Sequence, residues 1–311
     1  MDVRAAPLTM RRASWLLAAL VVPGLGGCSS NLPVQSFVDK LRVLGIQAEP
    51  ATVAPEQTTT LRTLTVGASA PSYLWLSCHV DPGATSTRPC GFGELSGSAL
   101  PPACGATQDG TLCTLGTDAT TTVTPTSALL SAGELLVTYV TADTGDATRC
   151  YLDTLANQGL PTEPDHCVIA YKRVSIGTTI NANPTLAALD LTLADGTFEA
   201  LDGTSTIAIP TKSATLHATR ADDASELVDG DYEALSLSWL TNGGAIDGGR
   251  STFDPDGCSS QADCATKMPS TEATTKWKTA LPGDVRFWAV LRDDRGGIGW
   301  RSGVLTVTVT P

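Results

Sequence analysis

Apolar and polar positions alternate along much of the chain, and that period-two pattern predicts strands. The first such run lies in 37–48, where Leu44, Ile46 and Ala48 share a face before Glu49-Pro50 interrupts it. Residues 58–66 are rich in β-branched side chains and predict a second strand, and 72–80 a third. From Asp81 to Thr126 the periodicity fades into Gly, Pro and Thr, which predicts a long irregular region ordered by cross-links. Periodicity returns in 135–141 and 167–176. Further on, Leu189, Leu191 and Leu193 line one face, 205–210 and 213–219 continue the pattern, and Leu235, Leu237 and Trp239 alternate with Ser236 and Ser238. The clearest signal is last: 285–292, the turn Asp293-Asp294-Arg295-Gly296-Gly297, and a strand over 300–310 with Leu305, Val307 and Val309 on one face.

Short strands separated by turn residues predict an all-β protein built of antiparallel sandwiches. The opening Ile46-Gln47-Ala48-Glu49-Pro50-Ala51-Thr52-Val53-Ala54-Pro55, the Trp75 strand, Trp239 and the closing run Phe287 to Gly297 resemble the immunoglobulin-like modules of bacterial surface proteins. The resemblance implies two immunoglobulin-like β-sandwiches, over 37–177 and 178–311. No Cys…Trp…Cys spacing is present, so it implies no inter-sheet disulfide.

The N-terminus follows a different pattern. Arg4, Arg11 and Arg12 precede the apolar run from Trp15 to Val22, which stops at Pro23-Gly24. A bilayer-spanning helix needs about 20 apolar residues, so this run predicts a processed export signal. Leu25-Gly26-Gly27-Cys28 then resembles the lipobox of bacterial lipoproteins. That resemblance implies a signal peptide over 1–27, lipid on Cys28, a tether over 28–36 and a membrane partner reached through the anchor. Ser29 and Ser30 replace the aspartate that retains such proteins at the inner membrane, which favours the outer membrane. Ala13-Ser14-Trp15 after Arg11-Arg12 matches twin-arginine export poorly, and translation from Met10 instead of Met1 gives a more compact signal.

Nine cysteines, with Cys28 assigned to lipid, leave eight: Cys78, Cys90, Cys104, Cys113, Cys150, Cys167, Cys258 and Cys264. An even set in an exported chain predicts disulfides. Cys258 and Cys264 flank a short polar loop and Cys150 and Cys167 bracket a Gly- and Pro-containing one, so each is a natural local pair. The other four allow three connectivities. No tight Cys pair with histidines points to zinc, and His79, His166 and His217 are scattered. The formal charge is −12, and removing the signal's net +2 leaves −14, which disfavours nucleic acid and anionic lipid surfaces as partners.

Trp75 and Trp239 are expected in sandwich cores. Trp277, between Lys276 and Lys278, and Trp300 are candidates for stacking on a glycan or protein partner. Asp254, Asp256 and Asp263 offer oxygen ligands to calcium, although metal-free Asp/Gly turns are commoner; Asp293-Asp294 reads as a solvated turn. The chain lacks G-x-S-x-G, H-E-x-x-H, P-loop and dinucleotide motifs, so no catalytic residue is assigned. The expected role is a non-catalytic envelope lipoprotein for structure, adhesion or interaction with envelope proteins or glycans. The alternatives are a carbohydrate- or peptide-binding lipoprotein and a hydrolase built on the loops of 81–126.

Overall fold

Backbone pairing turns the alternation into four main sheets. The computed structural model describes residues 35–80, 90–91, 99–131, 133–157, 159–209, 213–255, 257, 260–278 and 281–309, so Cys28, Asp256 and Cys258 lie outside the described residues. In the first half, Arg42–Glu49, Thr59–Val66 and Thr120–Val123 form one antiparallel sheet. A second sheet has the order Thr52–Val53, Cys167–Ile176, Glu134–Ala142, Ser72–His79, Cys113–Gly116. Their inner faces meet in one core, where Ile46, Ala48, Leu61 and Val123 pack on Trp75, Val137, Tyr139 and Val174.

The second half repeats the plan. One sheet runs Phe198–Ala200, Leu186–Leu193, Ala214–Arg220, Glu272–Lys278, Ala245–Asp247. The other runs Asp202–Ile209, Ile298–Val309, Gly283–Arg292, Ser236–Thr241, Arg250–Thr252. Leu191, Leu216, Ala218 and Trp277 from the first pack on Leu237, Trp239, Phe287 and Leu305 from the second. In both halves the strand carrying the central tryptophan lies between the penultimate strand and a short edge strand. Trp75 and Trp239 are both buried, and each indole N–H finds an acceptor: Asp118 O at 2.9 Å and Ser251 Oγ at 2.8 Å. A buried indole without such a partner would carry a desolvation cost of roughly 1–3 kcal/mol.

The protein is all-β, with three departures from the sequence expectation. The sheets are not purely antiparallel: Thr52–Val53 lies parallel to the end of Cys167–Ile176, and Asp202–Ile209 lies parallel to Ile298–Val309. An early strand that crosses to the opposite sheet arrives beside the last strand running in its own direction. The irregular region of 81–126 contains the strands Cys113–Gly116 and Thr120–Val123, whose short, Thr-rich sequences gave no apolar alternation. Between Cys150 and Cys167 the chain starts in a helix, Ala147–Ala156, capped by Asp146, whose side chain accepts from Thr148 N at 2.8 Å. Ala147 and Tyr151, one turn apart, bury against Leu74, Leu76, Leu136 and Val140 on the outer face of the second sheet.

The two halves share a fourth apolar cluster. Val38, Leu44 and Val66 from the first half meet Leu240, Trp288, Val290 and Ile298 from the second. Thr241 N donates to Ser36 O and Val38 N to Thr241 O, both at 2.8 Å, so the segment entering the first half lies beside a strand of the second. Asn183, in the connecting segment, donates to Ala48 O at 2.7 Å and accepts from Ile298 N at 2.9 Å. Gly299 is required where that segment crosses, because a Cβ there would sit 1.9 Å from Pro184 O.

Candidate functional site

The cysteines of the first half pair locally: Cys78–Cys90, Cys104–Cys113 and Cys150–Cys167, with Cα–Cα separations of 5.5, 4.9 and 5.8 Å. Among the three connectivities open for the first four, the structure has the sequential one. Cys150 sits on the helix and Cys167 begins its strand, so that bridge ties the helix to the sheet it covers. Cys264 is disulfide-bonded, and it lies on a short helix, Gln261–Ala265, where a polar loop was expected. Ser260 supplies the cap, accepting from Asp263 N at 3.2 Å.

The remaining sequence candidates are dispersed. Trp277 is fully buried, its N–H donates to Gly243 O at 2.9 Å, and its ring meets Phe287 edge-on at 5.2 Å. No face of it is open for stacking on a ligand, which corrects the sequence expectation. The reason lies in its strand: Glu272, Thr274, Lys276 and Lys278 point outward while Ala273, Thr275 and Trp277 point into the core, so the flanking lysines belong to the opposite face. Trp300 is half-buried beside the cluster between the halves, under the Arg62 guanidinium at 5.2 Å. Asp254 accepts from the Thr252 hydroxyl, and Asp263 pairs with Lys267 at 3.0 Å. Among the described residues no three His, Cys, Asp or Glu side chains are grouped as a metal site.

Asp293 also departs from expectation. It is only 9% exposed, and its Oδ1 accepts from Arg295 N at 2.9 Å and Gly297 N at 2.6 Å while Oδ2 faces Asn181 Nδ2 at 3.3 Å. Burial pushes its pKa up, against the opposing pull of those hydrogen bonds and the Lys172 charge.

A cavity lies where the first half meets the outer face of a second-half sheet. It measures about 680 Å³ and includes Gln35, Ser36, Arg42, Leu44, Ser238, Gly248, Gly249, Arg250 and Arg292 in its wall. Strand periodicity explains the wall. On Ser236–Thr241, Leu237 and Trp239 face the core, so Ser238 and Leu240 face out; on Gly283–Arg292, Trp288, Val290 and Arg292 do the same. The apolar end of this outer face is covered by the first half, and the polar end is left as a cleft. Arg250 stands opposite Ser238 in the sheet register, and Arg42 enters from the first strand of the first half.

The charge of this cleft is opposite to that of the chain. Three guanidiniums line it, and among the described residues no carboxylate does, in a protein of net charge −12. Arg292 donates to Ser238 Oγ at 3.0 Å and Leu44 O at 2.9 Å, and Arg42 donates to Gln35 O at 3.0 Å and Phe37 O at 2.8 Å. All four acceptors are neutral. Burial and, secondarily, the like charge of Arg250 push the Arg292 pKa down, yet a guanidinium stays charged. Three arginines far apart in sequence, each on a different strand, left no linear signal.

The sequence matches no family model and no curated protein. Among solved structures it is similar to fibronectin(III)-like modules of Clostridium thermocellum CbhA, at 11% identity over 86% of this chain and 94% of that one, with a TM-score of 0.24. It is also similar to the N-terminal Ig1-2 module of the Drosophila receptor protein tyrosine phosphatase DLAR, at 12% identity over 88% and 100% of the two chains, TM-score 0.23. The C-terminal domain of the Streptococcus pyogenes antigen I/II-family protein AspA gives 11% identity over 82% and 94%, TM-score 0.24. Superpositions this loose carry no argument about function, and the all-β assignment stands on the strand pairing of the chain itself.

Proposed function

We propose that this chain is a non-catalytic cell-envelope lipoprotein, held to the outer membrane by lipid on Cys28 and presenting its all-β body for interaction. The observation that carries the reading is Leu25-Gly26-Gly27-Cys28, placed behind an arginine-containing n-region and a short apolar run. Three disulfides between described cysteines support an oxidising compartment. Ligand capture is favoured over catalysis by the lining of the arginine cleft, which among the described residues offers guanidinium, hydroxyl and amide groups but no His, Cys, Asp, Glu or Lys to serve as a base. A hydrolase on the loops of 81–126 gains little from the cavity beside Cys104–Cys113. Its one lining carboxylate among the described residues, Asp109, accepts from Thr111 N at 2.9 Å, and Thr111 holds its pKa below the usual range, making it a weaker base.

Cys28→Ala tests the anchor. The expected result is loss of metabolic palmitate labelling and release of the protein from the membrane fraction. Undiminished membrane association of the variant would overturn the assignment.

A further inference from the structure

We infer that the arginine cleft between the two halves binds an organic phosphate, with the phosphate on Arg42, Arg250 and Arg292 and the rest of the molecule along the apolar wall. Like charges do not gather without compensation. Arg250 and Arg292 stand close enough for the charge of one to disfavour the charge of the other, and Arg42 lines the same cavity. The chain has more acidic than basic side chains, so carboxylate partners were abundant, yet among the described residues none lines the cleft.

The donors are also left open. Arg250 is exposed and has no hydrogen bond or ion pair among the described residues. Arg42 and Arg292 spend part of their five N–H groups on neutral acceptors that fix the side chains in place, and the remainder have no acceptor among the described residues. Guanidiniums held this way form a preorganised site for a planar or tetrahedral oxyanion. Three positive charges are matched better by a phosphate, with up to two negative charges, than by a single carboxylate.

The cavity is larger than a bare ion needs. Its volume of about 680 Å³ falls within the roughly 300–1,000 Å³ of small-molecule sites, and Val43, Leu44, Leu240 and Ile246 supply an apolar wall for a ligand body. Gly248 and Gly249 leave that wall without side-chain bulk on one side. The phosphate has two sources, a soluble metabolite or a lipid headgroup. The headgroup source rests on the proposed anchor: Gln35, at the cleft, follows Cys28 by a stretch that reaches no further than roughly 25 Å when extended. The phosphate site itself does not rest on it.

The test is calorimetric titration of the full-length protein with sn-glycerol 3-phosphate, with glycerol as the uncharged control. Saturable binding of the phosphate ester alone is expected, weakening as salt rises. Arg250→Gln removes a charged donor that holds nothing in the fold, and is expected to weaken binding about tenfold or more. No saturable binding, or equal affinity in Arg250→Gln and wild type, would overturn the inference. Co-sedimentation of the full-length Cys28→Ala chain with vesicles containing phosphatidic acid, whose phosphate is a monoester like that of glycerol 3-phosphate, separates the sources. Vesicle binding lost in the added Arg250→Gln change assigns the headgroup, and binding of glycerol phosphate without vesicle binding assigns a soluble ester. Release of Cys28→Ala from cells with glycerol phosphate binding intact would support both proposals; membrane retention with no phosphate binding would reject both.

Discussion

Ile298→Ala should weaken the protein chiefly by loosening one half from the other. Ile298 is 5% exposed and belongs to the cluster shared by Val38, Leu44 and Val66 of the first half with Leu240, Trp288 and Val290 of the second. Its Cδ1 lies 2.8 Å from where a Cβ on Gly45 would be, so the methyl group fills the space that the missing side chain leaves. Truncation removes three carbons, worth about 2.4 kcal/mol at about 0.8 kcal/mol each. The residual cavity adds to this, because the backbone around it is pinned by Ile298 N to Asn183 Oδ1 and by Gln47 Nε2 to Ile298 O. The total is about 3–4 kcal/mol, within the 2–5 kcal/mol typical of such truncations. Differential scanning calorimetry is the assay, with Leu281→Ala, 85% exposed, as a control expected within about 0.5 kcal/mol of wild type. Wild type should unfold in one transition and Ile298→Ala in a lower, broadened or split one. A single transition within about 1 °C of wild type would refute the claim that this cluster couples the halves.

Asp293 should give stability a pH dependence of unusual sign. Its folded pKa is raised above the unfolded value near 3.9, so the stabilisation tied to the bound proton is present below that value and lost as pH rises through the folded pKa. Asp293→Asn should remove this component, because an amide oxygen still accepts from Arg295 N and Gly297 N, and its NH₂ can meet the unpaired Asn181 Oδ1 after an amide flip. Urea midpoints from pH 4 to 7 check this, and parallel curves for variant and wild type would count against it. The Cys150→Ser/Cys167→Ser double variant opens a loop with a sequence separation of 17, for which chain entropy gives a loss of about 3 kcal/mol. Amide exchange should locate that loss first in Ala147–Ala156, and unaltered protection of the helix would argue that packing of Tyr151 alone holds it.

Much of the missed structure was legible in principle. In Glu272–Lys278 the outward positions are Glu, Thr, Lys and Lys and the inward ones Ala, Thr and Trp, an alternation masked by the small, polar character of its inward residues. Asp146 followed by Ala147, Tyr151 and Leu155 has the cap and the four-residue spacing of an amphipathic helix. Other features had no local signature. Asp293 sits in an Asp/Gly turn that reads as solvated, yet it is buried, with the Asn181 amide and the Lys172 charge, both distant in sequence, acting on its carboxylate.

What the sequence determined by itself is what depends on neighbours along the chain. Period-two burial set the strand faces, Asp/Gly turns set the final hairpin, and cysteine parity made disulfides the expectation. The tertiary structure decided what depends on distant segments meeting. It selected Cys78–Cys90 and Cys104–Cys113 from the possible pairings, turned Trp277 inward, and brought Arg42, Arg250 and Arg292 to one cleft. Alternation fixes which residues share a face of one strand, but not which other face will cover it. That choice follows from sheet order and from the packing of one half on the other.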